Sequence, residues 1–283
     1  MLGAGITITG PTLRAFKTLD LRGEISEVAA FSRKAGLFTQ LGELIVEHVM
    51  PRLAADVPAS GRILRPVLHN ILSTRARAVG TNVRLGVTVY SFTQTPNGVD
   101  VEFSDGAQGR YDLVVGTDGA VSHMRAMLFP DAPRPKFTGQ GCWRILADRP
   151  SWLEGGQMFY ASDRKAEVTP CSADKMYMFV NTAMPDNPRI DPDEGIEMLR
   201  EIIADFGGII ATVRESLGPD SSFNYRLLEA MLLPRPWAIG RVGLIGDAAH
   251  ATTPHLASGA GVAVEDGVVL AEEMLAADSV ADG

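Results

Sequence analysis

The sequence predicts an α/β protein whose α/β domain is interrupted by a block of mostly antiparallel strands. Three observations carry this. Two short apolar runs, DLVV before Gly116 and VGLI before Gly246, lack polar alternation, the mark of strands buried on both faces. Between them, residues 139–184 hold four strand-like runs joined by polar turns. Amphipathic helical stretches stand on either side of that block.

The elements follow in order. Gly5 to Thr9 reads as a strand, and Pro11 to Leu21 as a short helix with Leu13, Phe16, Leu19 and Leu21 near one face and Thr9 or Thr12 as its cap. FSRKAGLFTQLGELIVEHVM has only weak periodicity. RPVLHNILSTRARAV forms an amphipathic helix through Val67, Leu68, Ile71 and Leu72. Residues 82–116 read as a β-meander, with turns at Pro96-Asn97-Gly98 and Asp105-Gly106. GCWRILA, GQMFYAS, KAEVTP and KMYMFVNTAM are the strands of the middle block. Asp191 to Phe206 and Ile209 to Leu217 read as helices, Val242 to Ile245 as a buried strand, and Gly261 to Ala277 as a final helix.

Composition narrows the function classes. The chain has 283 residues, enough for one large domain or two ordinary ones, with hydrophobic and charged fractions of 46% and 21% that fit a folded soluble protein. A net charge of −8 without a basic cluster argues against a nucleic-acid partner. No apolar run approaches a membrane span and no secretory signal pattern opens the chain, so a cytoplasmic protein is expected. Cys142 and Cys171 are isolated, and read as reduced structural thiols.

The richest stretch is RVGLIGDAAHATTPHLASGAGVAVEDGVVLAEEM. Ligands of open α/β sheets bind off the carboxyl ends of strands, where Gly246-Asp247 stands. An aspartate there suits ribose or ribityl hydroxyls, and small Ala248 and Ala249 let a ligand approach the backbone. Ser258-Gly259-Ala260-Gly261 precedes a helix whose N-terminus favours an anion or a ring gaining negative charge, such as a reduced flavin. On these residues alone, an ordinary strand, turn and helix fits equally well.

The arrangement GDAAH, then Pro254, Gly259-Ala260-Gly261 and Glu265-Asp266, resembles the second flavin-contact motif of the class A FAD-dependent monooxygenases, the p-hydroxybenzoate and salicylate hydroxylase family. DLVVGTDGAVSHMR resembles the family's Asp-Gly motif, ILRPVLHNIL its phosphate-side arginine helix, and GQGCWRILADRP the start of its substrate domain. The resemblance implies a Rossmann-like FAD/NAD(P)-binding domain, residues 1–24, 61–132 and 236–283. It implies a β-sheet substrate domain over residues 25–60 and 133–235.

It also implies roles. Gly246 and Asp247 would serve the ribityl or ribose hydroxyls, Arg65 and Asp118 the pyrophosphate side, and Pro254 with Gly259, Ala260 and Gly261 the isoalloxazine. The implied chemistry belongs to FAD: NAD(P)H reduces it, O2 adds to give a C4a-hydroperoxide, and oxygen passes to an aromatic or heteroaromatic small molecule. A related flavin oxidoreductase or epoxidase on a non-aromatic substrate, and a non-catalytic remnant or partner subunit, stay open. So does a homo-oligomer.

His255 is a weak candidate for proton transfer, and metal binding by His250 and His255 is disfavoured because no cysteine or carboxylate cluster accompanies them. Met158, Tyr160, Met176, Tyr177 and Phe179 either wall a substrate pocket or pack a core. The family's G-x-G-x-x-G and the acid ending its second strand have no counterpart: Gly3 and Gly5 are followed by Ile8 where a third glycine is required. MLGAGITITG instead resembles the segment after that first βαβ unit. The expectation is a chain lacking the first unit and the C-terminal helices, with weakened FAD binding and an exposed sheet edge.

Overall fold

The structure, a computed structural model, describes residues 5–277 and 279 except 187 and 220. Gly3 of the opening motif and the terminal Ala281-Asp282-Gly283 therefore lie outside the described residues. The chain forms two compact units, residues 1–72 with 137–228 and residues 73–136 with 229–283. This grouping puts residues 1–24 and 61–72 with the large sheet rather than with residues 236–283.

The first unit opens with β1 (Gly5–Thr9), α1 (Gly10–Thr18), α2 (Arg22–Val28) and β2 (Ala30–Phe31). A hairpin of β3 (Lys34–Thr39) and β4 (Leu44–Val49) and then β5 (Ser60–Leu64) follow, leading into α3 (Arg65–Ala78). α1 starts one residue before the expected Pro11, with that proline in its first turn. β1, β5 and β2 make a small antiparallel sheet in which Ile8 and Ile63 are buried.

The second unit's meander is β6 (Val89–Thr95), β7 (Gly98–Phe103) and β8 (Gln108–Tyr111), followed by β9 (Val114–Gly116) and α4 (His123–Leu128). Residues 82–88, expected as strand, are not: Leu85 is largely exposed and β6 begins only at Val89. Apolar letters alternated there without a sheet face to bury them.

Back in the first unit, β10 (Lys136–Asp148), β11 (Gly156–Tyr160), β12 (Arg164–Pro170) and β13 (Lys175–Ala183) confirm the four expected strands. α5 (Gly195–Ile202), α6 (Gly208–Ser216) and β14 (Phe223–Ala230) complete it. The large sheet has the order β14-β10-β13-β12-β11-β3-β4. β11 and β3 pair parallel, whereas β10 with β13, β13 with β12, β12 with β11 and β3 with β4 pair antiparallel.

Register assigns its two faces. Trp143, Ile145, Phe159, Ala166, Val168, Met176, Met178 and Val180 pack with Leu199, Ile203, Ile209, Ile210 and Val213 of the α5–α6 region. Alternation sends Cys142, Arg144, Met158, Glu167, Tyr177, Phe179 and Asn181 to the opposite face. Met176 is thus core, whereas Met158, Tyr160, Tyr177 and Phe179 share the other face.

The chain ends with β15 (Ala238–Ile239), β16 (Val242–Leu244), α7 (Asp247–His250) and α8 (Gly259–Ala276). β15, β16 and β9 form a three-stranded sheet. Its core joins Val242 and Leu244 to Val99, Val101, Met124, Leu128, Ala248 and Ala249. No described helix is long and apolar enough to cross a membrane.

Candidate functional site

Within the second unit, β9 and β16 run parallel, with Val114, Val115 and Gly116 opposite Val242, Gly243 and Leu244. Both strands therefore end side by side, and each releases a turn at the same edge. Gly116 is where the packing is tightest: an added Cβ would stand 2.7 Å from Leu244 Cδ2 and 2.8 Å from Met124 Cβ. That close approach brings α4 down onto the strand end.

The first turn is Thr117-Asp118-Gly119. Asp118 accepts the Ser122 hydroxyl at 2.5 Å and the His123 and Met124 N–H groups at 2.7 and 3.0 Å. Ser122, in turn, caps α4 by accepting the Arg125 N–H at 2.8 Å. Asp118 was expected to serve a pyrophosphate; the geometry gives its carboxylate a local task, satisfying the first N–H groups of α4.

Arg125 was not foreseen. Its buried guanidinium donates to the carbonyls of Ala248 at 2.8 Å and Ala120 at 2.6 Å, tying both turns together. Burial pushes the guanidinium below its ordinary pKa, while the Asp118 charge pushes it up.

The second turn passes through Gly246 at φ +60° and ψ −145°, a conformation open essentially to glycine. A Cβ there would also lie 3.2 Å from Ala263 Cβ. The Gly246 N–H donates to Asp266 Oδ2 at 2.8 Å, and His250 Nε2 meets that same oxygen at 2.6 Å. The His250 ring lies 5.2 Å from that of Trp237. Asp266 thus fastens the turn to α8 from twenty residues downstream.

Asp247 heads α7 and is exposed, leaving its carboxylate accessible beside the glycine turn. Pro254 and His255 lie in an exposed 3-10 turn, Pro254–Leu256, which ends at Ala257 in the left-handed region at φ +51°. Gly259, Ala260 and Gly261 form the first turn of α8, with Ala260 exposed and Gly261 buried. Among the described residues no side chain caps that turn, so its backbone N–H groups are not claimed by a capping side chain. Arg65, the remaining expected contact, belongs to the first unit, where it is exposed at the start of α3.

These residues fit one end of a flavin cofactor: a glycine turn at a strand end, an accessible carboxylate and an uncapped helix start. Among the described residues no strand carries G-x-G-x-x-G into a helix, and no group of three or more His, Cys, Asp or Glu could hold a metal.

Comparison with known proteins agrees with this geometry. The model of the FAD binding domain family matches residues 3–279. The chain is 33% identical over 292 residues to 3-amino-4-hydroxybenzoate 2-monooxygenase PtmB3 of Streptomyces platensis, covering 98% of this chain and 71% of that protein. It is 30% identical over 283 residues to aurachin C monooxygenase/isomerase of Stigmatella aurantiaca, covering 95% and 70%. Among solved structures, Klebsiella pneumoniae HpxO complexed with FAD and uric acid superposes with a TM-score of 0.88 at 22% identity, over 99% of this chain and 73% of that one.

Proposed function

The chain belongs to the FAD-dependent monooxygenases, and from that premise we propose that it hydroxylates an aromatic or heteroaromatic small molecule, using electrons from NAD(P)H and oxygen from O2. The observation that carries this reading is the Gly246-Asp247 turn set beside the uncapped start of α8. FAD, when bound, supplies the redox chemistry and the activation of oxygen.

The chain's own residues do the rest. Asp247 accepts hydrogen bonds from ribityl or ribose hydroxyls. The N–H groups of Gly259, Ala260 and Gly261 would hold the flavin ring by stabilising the negative charge it gains on reduction. Gly246 would let the backbone approach the cofactor, and Pro254 would border the ring. Asp118 acts by fixing its turn, and Arg65 serves the phosphates. Taken by itself, the sheet face of the first unit that bears Arg144 and Phe179 has the character of a wall for an aromatic molecule, and the Arg144 cation favours one carrying an anionic group. Support for a polar, aromatic wall comes from register, which puts Arg144 opposite Phe179 and Phe179 opposite Glu167.

The test is NAD(P)H oxidation by the chain supplied with FAD, against a panel of phenols and hydroxypyridines, with isotopically labelled O2. Label in a hydroxylated product, lost in Asp247→Ala, supports the proposal. Cofactor oxidation that yields only peroxide with every substrate, or product formation indifferent to Asp247→Ala, overturns it.

A further inference from the structure

We propose that Asp266 is a positioning residue for the cofactor, an inference that rests on the flavin reading of Asp247 and of the start of α8. Through the Gly246 N–H and the His250 ring, Asp266 sets the Asp247 carboxylate at one fixed offset from Gly259, Ala260 and Gly261. The two groups assigned to the flavin are then held as one body.

α7 cannot place itself. Four residues make barely one helical turn, too few to be stable without outside contacts. Arg125 holds the Ala248 carbonyl, and the Leu233 and Met231 N–H groups hold the carbonyls of Ala249 and Ala251 at 2.8 Å each. Asp266 takes both flanks, Gly246 through its N–H and His250 through its ring, and the His250 and Asp266 side chains are only 13% and 17% exposed. The Asp247 carboxylate, by contrast, is exposed and has no partner among the described residues. A free carboxylate on a turn tied on both sides is preorganised for a ligand.

Asp266 differs from the other ties because it comes from α8 itself. Ala263 and Asp266 are three residues apart and so share a face of that helix. Gly246 sits against both: a Cβ on it would stand 3.2 Å from Ala263 Cβ, and its N–H reaches the Asp266 carboxylate. The turn therefore lies directly on α8, with Asp266 roughly 10 Å along the helix from Gly259. A cofactor that touches two independent groups must order both, whereas one that meets a prealigned pair does not.

FAD titration of the full chain, followed by flavin fluorescence below the melting temperature of each variant, tests this. Asp247→Ala and Asp266→Ala should each weaken FAD binding about tenfold. Asp266→Asn, which keeps an acceptor oxygen, should recover most of that loss. Because Asp266 acts through Asp247, the double alanine variant should bind little worse than Asp247→Ala, whereas independent losses would multiply to about a hundredfold. His250→Phe keeps a ring beside Trp237 but severs one of the two ties; it should weaken FAD about threefold, and it carries the test if Asp266→Ala does not fold. Wild-type affinity in Asp266→Ala, or in His250→Phe where that variant stands in, overturns the proposal alone, as do losses that multiply. A wild type that binds no FAD, or Asp247→Ala with wild-type affinity, overturns the flavin reading and the proposal with it.

Discussion

His250 and Asp266, sixteen residues apart, meet at 2.6 Å, and the same carboxylate oxygen holds the Gly246 N–H. Asp266→Ala removes both acceptor interactions at a half-buried position. The expected loss is about 1.5–3 kcal/mol, read as a lower urea midpoint with an unchanged m-value. Asp266→Asn, which keeps one acceptor oxygen, should lose less. Equal stability of the two variants would show that the carboxylate does not fasten the turn.

Gly246→Ala tests the turn from the backbone side. Its φ of +60° with ψ −145° costs a side-chain residue about 1–3 kcal/mol, and the new methyl crowds Ala263. Adding Ala263→Gly relieves crowding but not backbone strain, so the double variant should recover only part of the melting temperature. Full recovery would make the effect one of space alone.

In the first unit, Arg62 and Glu167 form a largely buried ion pair, their side chains 13% and 12% exposed. Arg62 Nε has no hydrogen-bond partner among the described residues, so the guanidinium relies on this carboxylate. Glu167→Ala should cost about 3–5 kcal/mol by stranding a buried charge, whereas Arg62→Met with Glu167→Met should cost far less. Chemical denaturation of the three proteins decides it, and similar losses in the single and double variants would count against the stranded-charge account.

Alkaline pH should unfold the chain more readily. Burial pushes the thiols of Cys142 and Cys171 from an ordinary 9.0 up to about 11. The neutral thiol belongs to the folded state, so its contribution is complete below pH 9 and is lost as pH rises towards about 11. A rise of that size corresponds to at most about 3 kcal/mol per thiol. Denaturation midpoints should fall across that window and fall less in Cys142→Ala, and both thiols should resist a disulfide reagent at about pH 8 until denaturant is added.

Much of this architecture was legible because burial leaves a pattern. β7 alternates as GVDVEF, the run at Val242 is apolar without alternation, and the helix at Arg65 repeats its apolar positions. The hairpin of β3 and β4 left no pattern, since a strand exposed on both faces needs no alternation. In the sequence the candidate site showed only as a set of residue types, Gly246, Asp247 and Gly259 to Gly261, whose flavin contacts are a proposal. Its internal wiring was not: which oxygen receives the His250 ring, or that Asp118 turns to its own helix, depends on geometry that spacing does not encode. Arg125 stood inside the motif, but nothing local marks a guanidinium whose acceptor, the Ala248 carbonyl, lies 123 residues away.

That separation has a consequence during synthesis. A ribosome adding about 5–20 residues per second needs about 6–25 seconds to pass from Arg125 to Ala248. Throughout that interval β9 lacks its parallel neighbour, and the Arg125 guanidinium, buried only in the finished fold, has the Ala120 carbonyl but not that of Ala248. The nascent chain must carry this unfinished sheet out of the exit tunnel, so slowing translation between residues 125 and 248 should lengthen its exposure to chaperones and proteases.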